Sequence, residues 1–121
     1  SLLVAEGAAR ILSRNRQHVT FRGGDAHLAA VEPGPAPETG GPWDRLLPAI
    51  LHAIPRLWGY VVVDFIETER GPVVLEVNPR LTTAYAGLDR EAVGNPAGVV
   101  LRAAGLAAAG PGHREGAVHG R

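Results

Sequence analysis

Cysteine is absent from all 121 residues, which excludes a disulfide framework and any thiolate-based catalytic or metal site. Methionine is absent too, and a chain that opens at Ser1-Leu2-Leu3 without one reads as part of a longer protein. No apolar run is long enough to span a bilayer, and no secretory leader is evident, so a soluble cytoplasmic protein is expected. No charge excess exists in either direction: 12 acidic residues balance 12 basic ones, which points to neither nucleic acid nor a membrane surface as partner. Lysine is missing altogether, every basic residue being arginine. The Ala, Gly, Pro and Arg bias of a GC-rich genome accounts for that choice. What remains is enough chain for one modest domain and core.

The first 32 residues read as β. Leu2–Ala5 and the segment 8–13 flank the turn pair Glu6-Gly7, His18–Arg22 ends at Gly23-Gly24, and His27–Val31 follows. Residues 33–42, rich in proline and glycine, cannot continue a ladder. A helix from Pro42 or Trp43 to Leu57 is expected, because Leu46, Leu47, Ile50, Leu51, Ile54 and Leu57 recur at helical spacing. Strands Tyr60–Glu67 and Val73–Asn78 come next. A helix over Thr83–Val93 and another capped by Asn95 with Pro96 at its first position, running to about Leu106, complete an α+β arrangement: an antiparallel sheet with two to three packed helices. The domain is expected to occupy 1–107 and a disordered tail 108–121, with His113 and His119 in that tail.

The most informative stretch is the pair of strands 60–67 and 73–78. Asp64 interrupts one apolar run, and Glu76 and Asn78 interrupt the other. A buried carboxylate without a partner is costly, and two facing each other cost more unless a cation sits between them. Alternation puts Tyr60, Val62, Asp64 and Ile66 on one face and Val74, Glu76 and Asn78 on one face of the next strand. The turn decides whether these faces meet. A three-residue loop Glu69-Arg70-Gly71 pairs Thr68 with Pro72 and hence Asp64 with Glu76, whereas a two-residue turn slips the register and sends Asp64 to the opposite face. In the paired register the carboxylates stand about 5 Å apart with Asn78 beside them. Such oxygen ligands suit a hard divalent cation, Mg²⁺ above all, which keeps room for waters and phosphates. The alternative is an ordinary hairpin with one solvated face.

Gly-Tyr-Val-Val-Val-Asp (59–64) followed by Glu-Val-Asn-Pro-Arg (76–80) resembles the C-terminal catalytic part of ATP-grasp enzymes. The resemblance implies that Asp64 binds one Mg²⁺, Glu76 bridges two, and Asn78 binds the second, with Mn²⁺ as a substitute and ATP as the nucleotide. It implies that Arg80 neutralises the transferred phosphate or the acceptor carboxylate. Asn-Pro-Arg-Leu-Thr-Thr-Ala-Tyr-Ala-Gly-Leu (78–88) is similar to the group containing the tyramine–glutamate ligase of methanofuran biosynthesis, and residues 12–17 resemble that group's Ser-x-Asn-x-Gln segment. The implied activity is ATP-dependent ligation of a small-molecule carboxylate to an amine through an acyl-phosphate. Phosphate-binding lysines expected of a whole enzyme are absent, so the nucleotide's other wall is expected from N-terminal lobes of the same protein or from a partner chain. A non-catalytic or partner-dependent remnant is the alternative.

Asn15 and Gln17 share a face if 15–17 is strand, and are candidates for substrate contact. Thr82, Thr83 and Tyr85 open the helix after the metal strand and are candidates for an anionic substrate, with simple capping by Thr82 as the other reading. Trp43 and Trp58 read as packing residues. His18, His27 and His52 lie on separate elements without metal-ligand spacing. The Gly-Gly pairs at 23–24 and 40–41 lack the Lys-Ser/Thr and helix of a P-loop.

Overall fold

A computed structural model describes residues 1–38 and 40–105. The proposed tail, with His113 and His119, lies outside the described residues.

Six strands form two antiparallel units. β1 (Leu2–Ala5), β2 (Ala8–Ile11), β5 (Gly59–Thr68) and β6 (Gly71–Asn78) make a four-stranded sheet in the order β2-β1-β5-β6. β3 (Arg16–Arg22) and β4 (Asp25–Glu32) make a separate two-stranded ribbon. The expected α+β class and antiparallel sheet are thus observed. Glu6 and Gly7 both adopt positive φ, 51° and 76°, which matches the right-handed twist of the β1–β2 hairpin.

Alternation along the strands divides the core in two. Leu2, Val4 and Val61, with Val63 and Val77 beside them, face α1 (Trp43–Ala53), whose Leu47 and Leu51 pack onto that side. On the other face Tyr60 and Val62 join Leu12, Leu88, Val93 and Val99, beneath α2 (Arg90–Val93) and α3 (Pro96–Ala103). Asn95 caps α3 as expected, its side chain accepting from the Gly98 amide at 3.2 Å. Asp64 continues the Tyr60–Val62 face, and the site is therefore set by where the helical cover stops.

Five expectations need correction. α1 ends at Ala53, not Leu57, with Ile54 as its C-cap, and Trp58 is exposed rather than packed. The segment 83–93 is not one helix: a 3₁₀ turn over Thr83–Gly87 gives way to extended Leu88 before α2 starts at Arg90. α3 ends at Ala103, with Ala104 as its C-cap, short of Leu106. Asn15 precedes β3, so it shares no strand face with Gln17.

The β5–β6 hairpin departs from expectation and still arrives at the predicted pairing. Its turn holds two residues, with Thr68 opposite Gly71, and Glu67, Ile66 and Phe65 opposite Pro72, Val73 and Val74. By itself that register would misplace Asp64. A bulge then leaves Leu75 unpaired, and Asp64 stands opposite Glu76, Val63 opposite Val77 and Val62 opposite Asn78. Gly71 sits at φ 107°, a backbone region that side chains rarely adopt.

Val61 is 0% exposed. Truncating it to alanine should lower the unfolding free energy by about 2–3 kcal/mol, whereas Val73→Ala, at 47% exposed, should cost under about 1 kcal/mol. Gly71→Ala should cost about 1–3 kcal/mol through its φ alone. Urea unfolding of the three variants checks these values.

Candidate functional site

An open cleft of about 740 Å³ lies where the ribbon passes over β5 and β6. Its polar wall includes Asp64, Glu76, Asn78, Arg80 and Gln17. β5 delivers Asp64 because the alternation that buries Tyr60 and Val62 runs on past the helical cover. β6 delivers Glu76 and Asn78, two residues apart and so on one side of the strand.

Asp64 is the centre of the arrangement. Gln17 Nε2 donates to its Oδ1 at 3.0 Å, and Asn78 Nδ2 approaches its Oδ2 at 3.5 Å. Burial pushes the Asp64 carboxyl above the usual carboxylate range, and the negative charge of Glu76 opposite pushes it the same way. The Gln17 hydrogen bond and the Arg80 guanidinium pull it back down without cancelling the rise. Asn78 is 9% exposed, while Glu76 is exposed at the mouth. Arg80 is exposed, its backbone amide bonded to the Asn78 carbonyl at 2.9 Å and its guanidinium to the Leu81 carbonyl at 3.3 Å.

The donor set fits a hard cation. Every group is an oxygen carrier, two are carboxylates at directly opposed ladder positions, and the repulsion between them is relieved by positive charge. Among the described residues no cluster of three or more His, Cys, Asp or Glu side chains could hold a metal. Two carboxylates and one amide, one oxygen each, leave half of an octahedral shell to water and phosphate, in keeping with the way Mg²⁺ is commonly held.

The remaining sequence candidates separate. Gln17 reaches the carboxylate cluster. Asn15 donates to Ser1 Oγ at 3.2 Å, and the Tyr60 hydroxyl donates to the same oxygen at 2.9 Å. Burial pushes the Tyr60 phenol up, which keeps it a neutral donor. Thr82 caps the 3₁₀ turn by accepting from the Ala84 amide at 3.3 Å. Tyr85 packs edge-on against Tyr60 with ring centroids 5.3 Å apart, partly buried against the core. Thr82 and Tyr85 are therefore engaged in building the turn and core, and Thr83 is left exposed at the cleft wall.

Sequence reasoning missed the apolar side of the cleft. Ile66 and Leu75 are 49% and 64% exposed beside the carboxylates, facing Val19, Leu28 and Val31 of the ribbon across the cleft. The signal was available in the apolar residues Val19, Leu28 and Val31 of the two ribbon strands. Arg14 closes the rim: it pairs with Glu67 and lies 5.5 Å from the Trp43 ring centroid, and Trp43 in turn meets Phe65 edge-on at 4.8 Å.

A family model described as ATP-grasp domain matches residues 1–84, which takes in the first five strands, the β5–β6 hairpin and the whole carboxylate cluster. No curated protein and no solved structure matches the chain.

The raised Asp64 carboxyl gives a signed pH dependence. Without metal, the folded form holds that proton more tightly than the unfolded chain, so the contribution to stability is full below the ordinary carboxylate pKa and is lost as pH rises through the raised value. Asp64→Asn should therefore be more stable than the parent at pH 7 in EDTA, by less than about 1 kcal/mol because the group is partly solvated. The difference should vanish near pH 3, and thermal melts at the two pH values check it.

Proposed function

We propose that this chain, which belongs to the ATP-grasp family, forms the metal-holding side of an ATP-dependent carboxylate–amine ligase site that works through an acyl-phosphate. Members of the family are in general ligases that bind ATP, usually with Mg²⁺. The observation that carries the reading is the ladder position of Asp64 directly opposite Glu76, with Asn78 at hydrogen-bond distance and Arg80 at the same cleft.

Asp64, Glu76 and Asn78 would hold Mg²⁺, and the likeness to ATP-grasp enzymes assigns Glu76 the role shared between two ions. The cations, when bound, supply positive charge that screens the phosphates and the transferring phosphoryl group. Arg80 adds a fixed positive charge beside them and orients the phosphoryl group or the acceptor carboxylate. Ile66 and Leu75 offer an apolar floor next to the polar groups, suited to the flat face of a nucleobase. No side-chain nucleophile is required: the substrate carboxylate attacks the terminal phosphorus, ADP leaves, and the amine then displaces phosphate from the acyl-phosphate. Asn15 and Thr83 stand at the cleft wall as candidates for acceptor contact. Glutamate and tyramine are the acceptor pair to try first, given the likeness of residues 78–88 to the tyramine–glutamate ligase group.

One observation favours a second reading. With no lysine among 121 residues, the cationic grip on the nucleotide phosphates rests on arginine alone. That suits a non-catalytic or partner-dependent remnant, whose cleft binds metal and nucleotide only with lysines from other lobes of the same protein or from a partner chain.

In the full-length protein Glu76→Gln should cut amine-dependent ADP release by about 10²-fold or more while circular dichroism stays unchanged. Asp64→Asn should shift the Mg²⁺ titration of the rate to higher concentration. Near-normal turnover of the Glu76 variant would remove the bridging role.

A further inference from the structure

Gln17 reads in the sequence as a residue for substrate, yet its amide is committed to Asp64. The donor comes from a different sheet: Gln17 is the second residue of β3, and Asp64 lies on β5. Each oxygen of the Asp64 carboxylate thus has an amide neighbour, Gln17 at 3.0 Å on Oδ1 and Asn78 at 3.5 Å on Oδ2. A carboxylate oxygen carries two lone pairs, so one amide donor on Oδ1 leaves acceptor capacity for a cation. It also fixes the plane of the group, which removes rotational freedom that a free aspartate would lose on binding metal.

The same hydrogen bond has a mechanical side. Every residue of β3 is exposed, and so is every residue of β4 except Val31. The ribbon's other side-chain bonds are internal: His18 with Glu32 at 3.1 Å and Thr20 with the His27 carbonyl at 3.5 Å. Its apolar face, Val19, Leu28 and Val31, looks onto the cleft. Gln17 precedes Val19 on β3, so its bond to Asp64 joins the ribbon to β5 two residues before Ile66.

We propose that Gln17 is a positioning residue for the cation site: it holds the Asp64 carboxylate in the orientation that faces Glu76 and Asn78, and through that bond it ties the β3–β4 ribbon over the cleft. The proposal rests on Asp64 being a cation ligand. Because the two roles share one bond, cation binding and ribbon position are linked, and each strengthens the other.

The test uses the full-length protein with Mn²⁺ as the probe and saturating ADP, free Mn²⁺ being read by electron paramagnetic resonance. Gln17→Leu keeps the side-chain volume and removes the donor. It should raise the Mn²⁺ dissociation constant about 10–100-fold, the usual effect of losing a support to a metal ligand. It should also abolish the protection from hydrogen exchange that Mn²⁺–ADP confers on amides 16–32. His18→Ala, which removes a hydrogen bond to Glu32 inside the ribbon and leaves the Gln17–Asp64 bond in place, should leave the Mn²⁺ constant within twofold. Wild-type Mn²⁺ affinity in Gln17→Leu would overturn the proposal, as would an equal loss in His18→Ala, which would mean that ribbon stability alone matters. If the wild-type protein binds no Mn²⁺ with ADP, the cation site itself fails and the proposal falls with it. If wild type binds and Gln17→Leu binds equally, only the positioning role fails.

Discussion

Two carboxylates held opposite each other on neighbouring strands are the constraint around which this domain is organised. Like charges at opposed positions weaken a sheet, and the Asp64 carboxyl is pushed up first by burial and then by Glu76 opposite. The groups around them moderate the repulsion. Gln17 and Asn78 present amide hydrogens to Asp64, Arg80 contributes a positive field, and the exposed position of Glu76 lets water screen its half of the pair. A sheet optimised for stability alone would put valine or threonine at these positions. Acids at both positions suit a cleft that receives positive charge.

The helical layers explain why the pair sits where it does. β5 is buried at its start, between α1 on one face and α2 and α3 on the other, and emerges toward its end. The buried half fixes the strand rigidly through Tyr60, Val61 and Val62. The emergent half then projects Asp64 from a support that cannot drift. Precise placement of the charged groups thus derives from apolar packing one turn of the pleat away, which is where a site that must match phosphate geometry needs its stiffness.

Much of this was legible in the sequence, for identifiable reasons. The hairpins were readable because Glu6-Gly7 and the Gly23-Gly24 pair are strong local turn signals, and α1 because six apolar residues keep helical spacing. The α3 cap was readable from Asn95-Pro96. The segment 83–93 misled because Thr, Ala and Leu satisfy a helical pattern locally, while the chain must turn at Leu88 to put that side chain into the core. Trp58 misled because aromatic residues are usually packed, and nothing local shows that the chain leaving α1 carries it outward. Gln17 could be flagged as polar and interesting but not assigned, since its partner lies 47 residues away on another sheet. Long-range pairing of that kind leaves no periodicity to read.

The hairpin between the carboxylates carries a broader consequence. Eleven residues lie between Asp64 and Glu76: eight in four ladder pairs, two in the turn, and the unpaired Leu75. A three-residue loop with no bulge would use the same span and oppose the same two acids. The chain length between the acids is therefore what fixes their encounter, and the surplus residue is free to migrate along the hairpin. Slack can be stored at the tip, where it shapes a loop, or beside the acids, where it turns Leu75 toward the cleft. Two proteins with the same spacing could thus hold identical acid pairs yet differ in the wall beside them, varying what the site grips without disturbing how it handles charge.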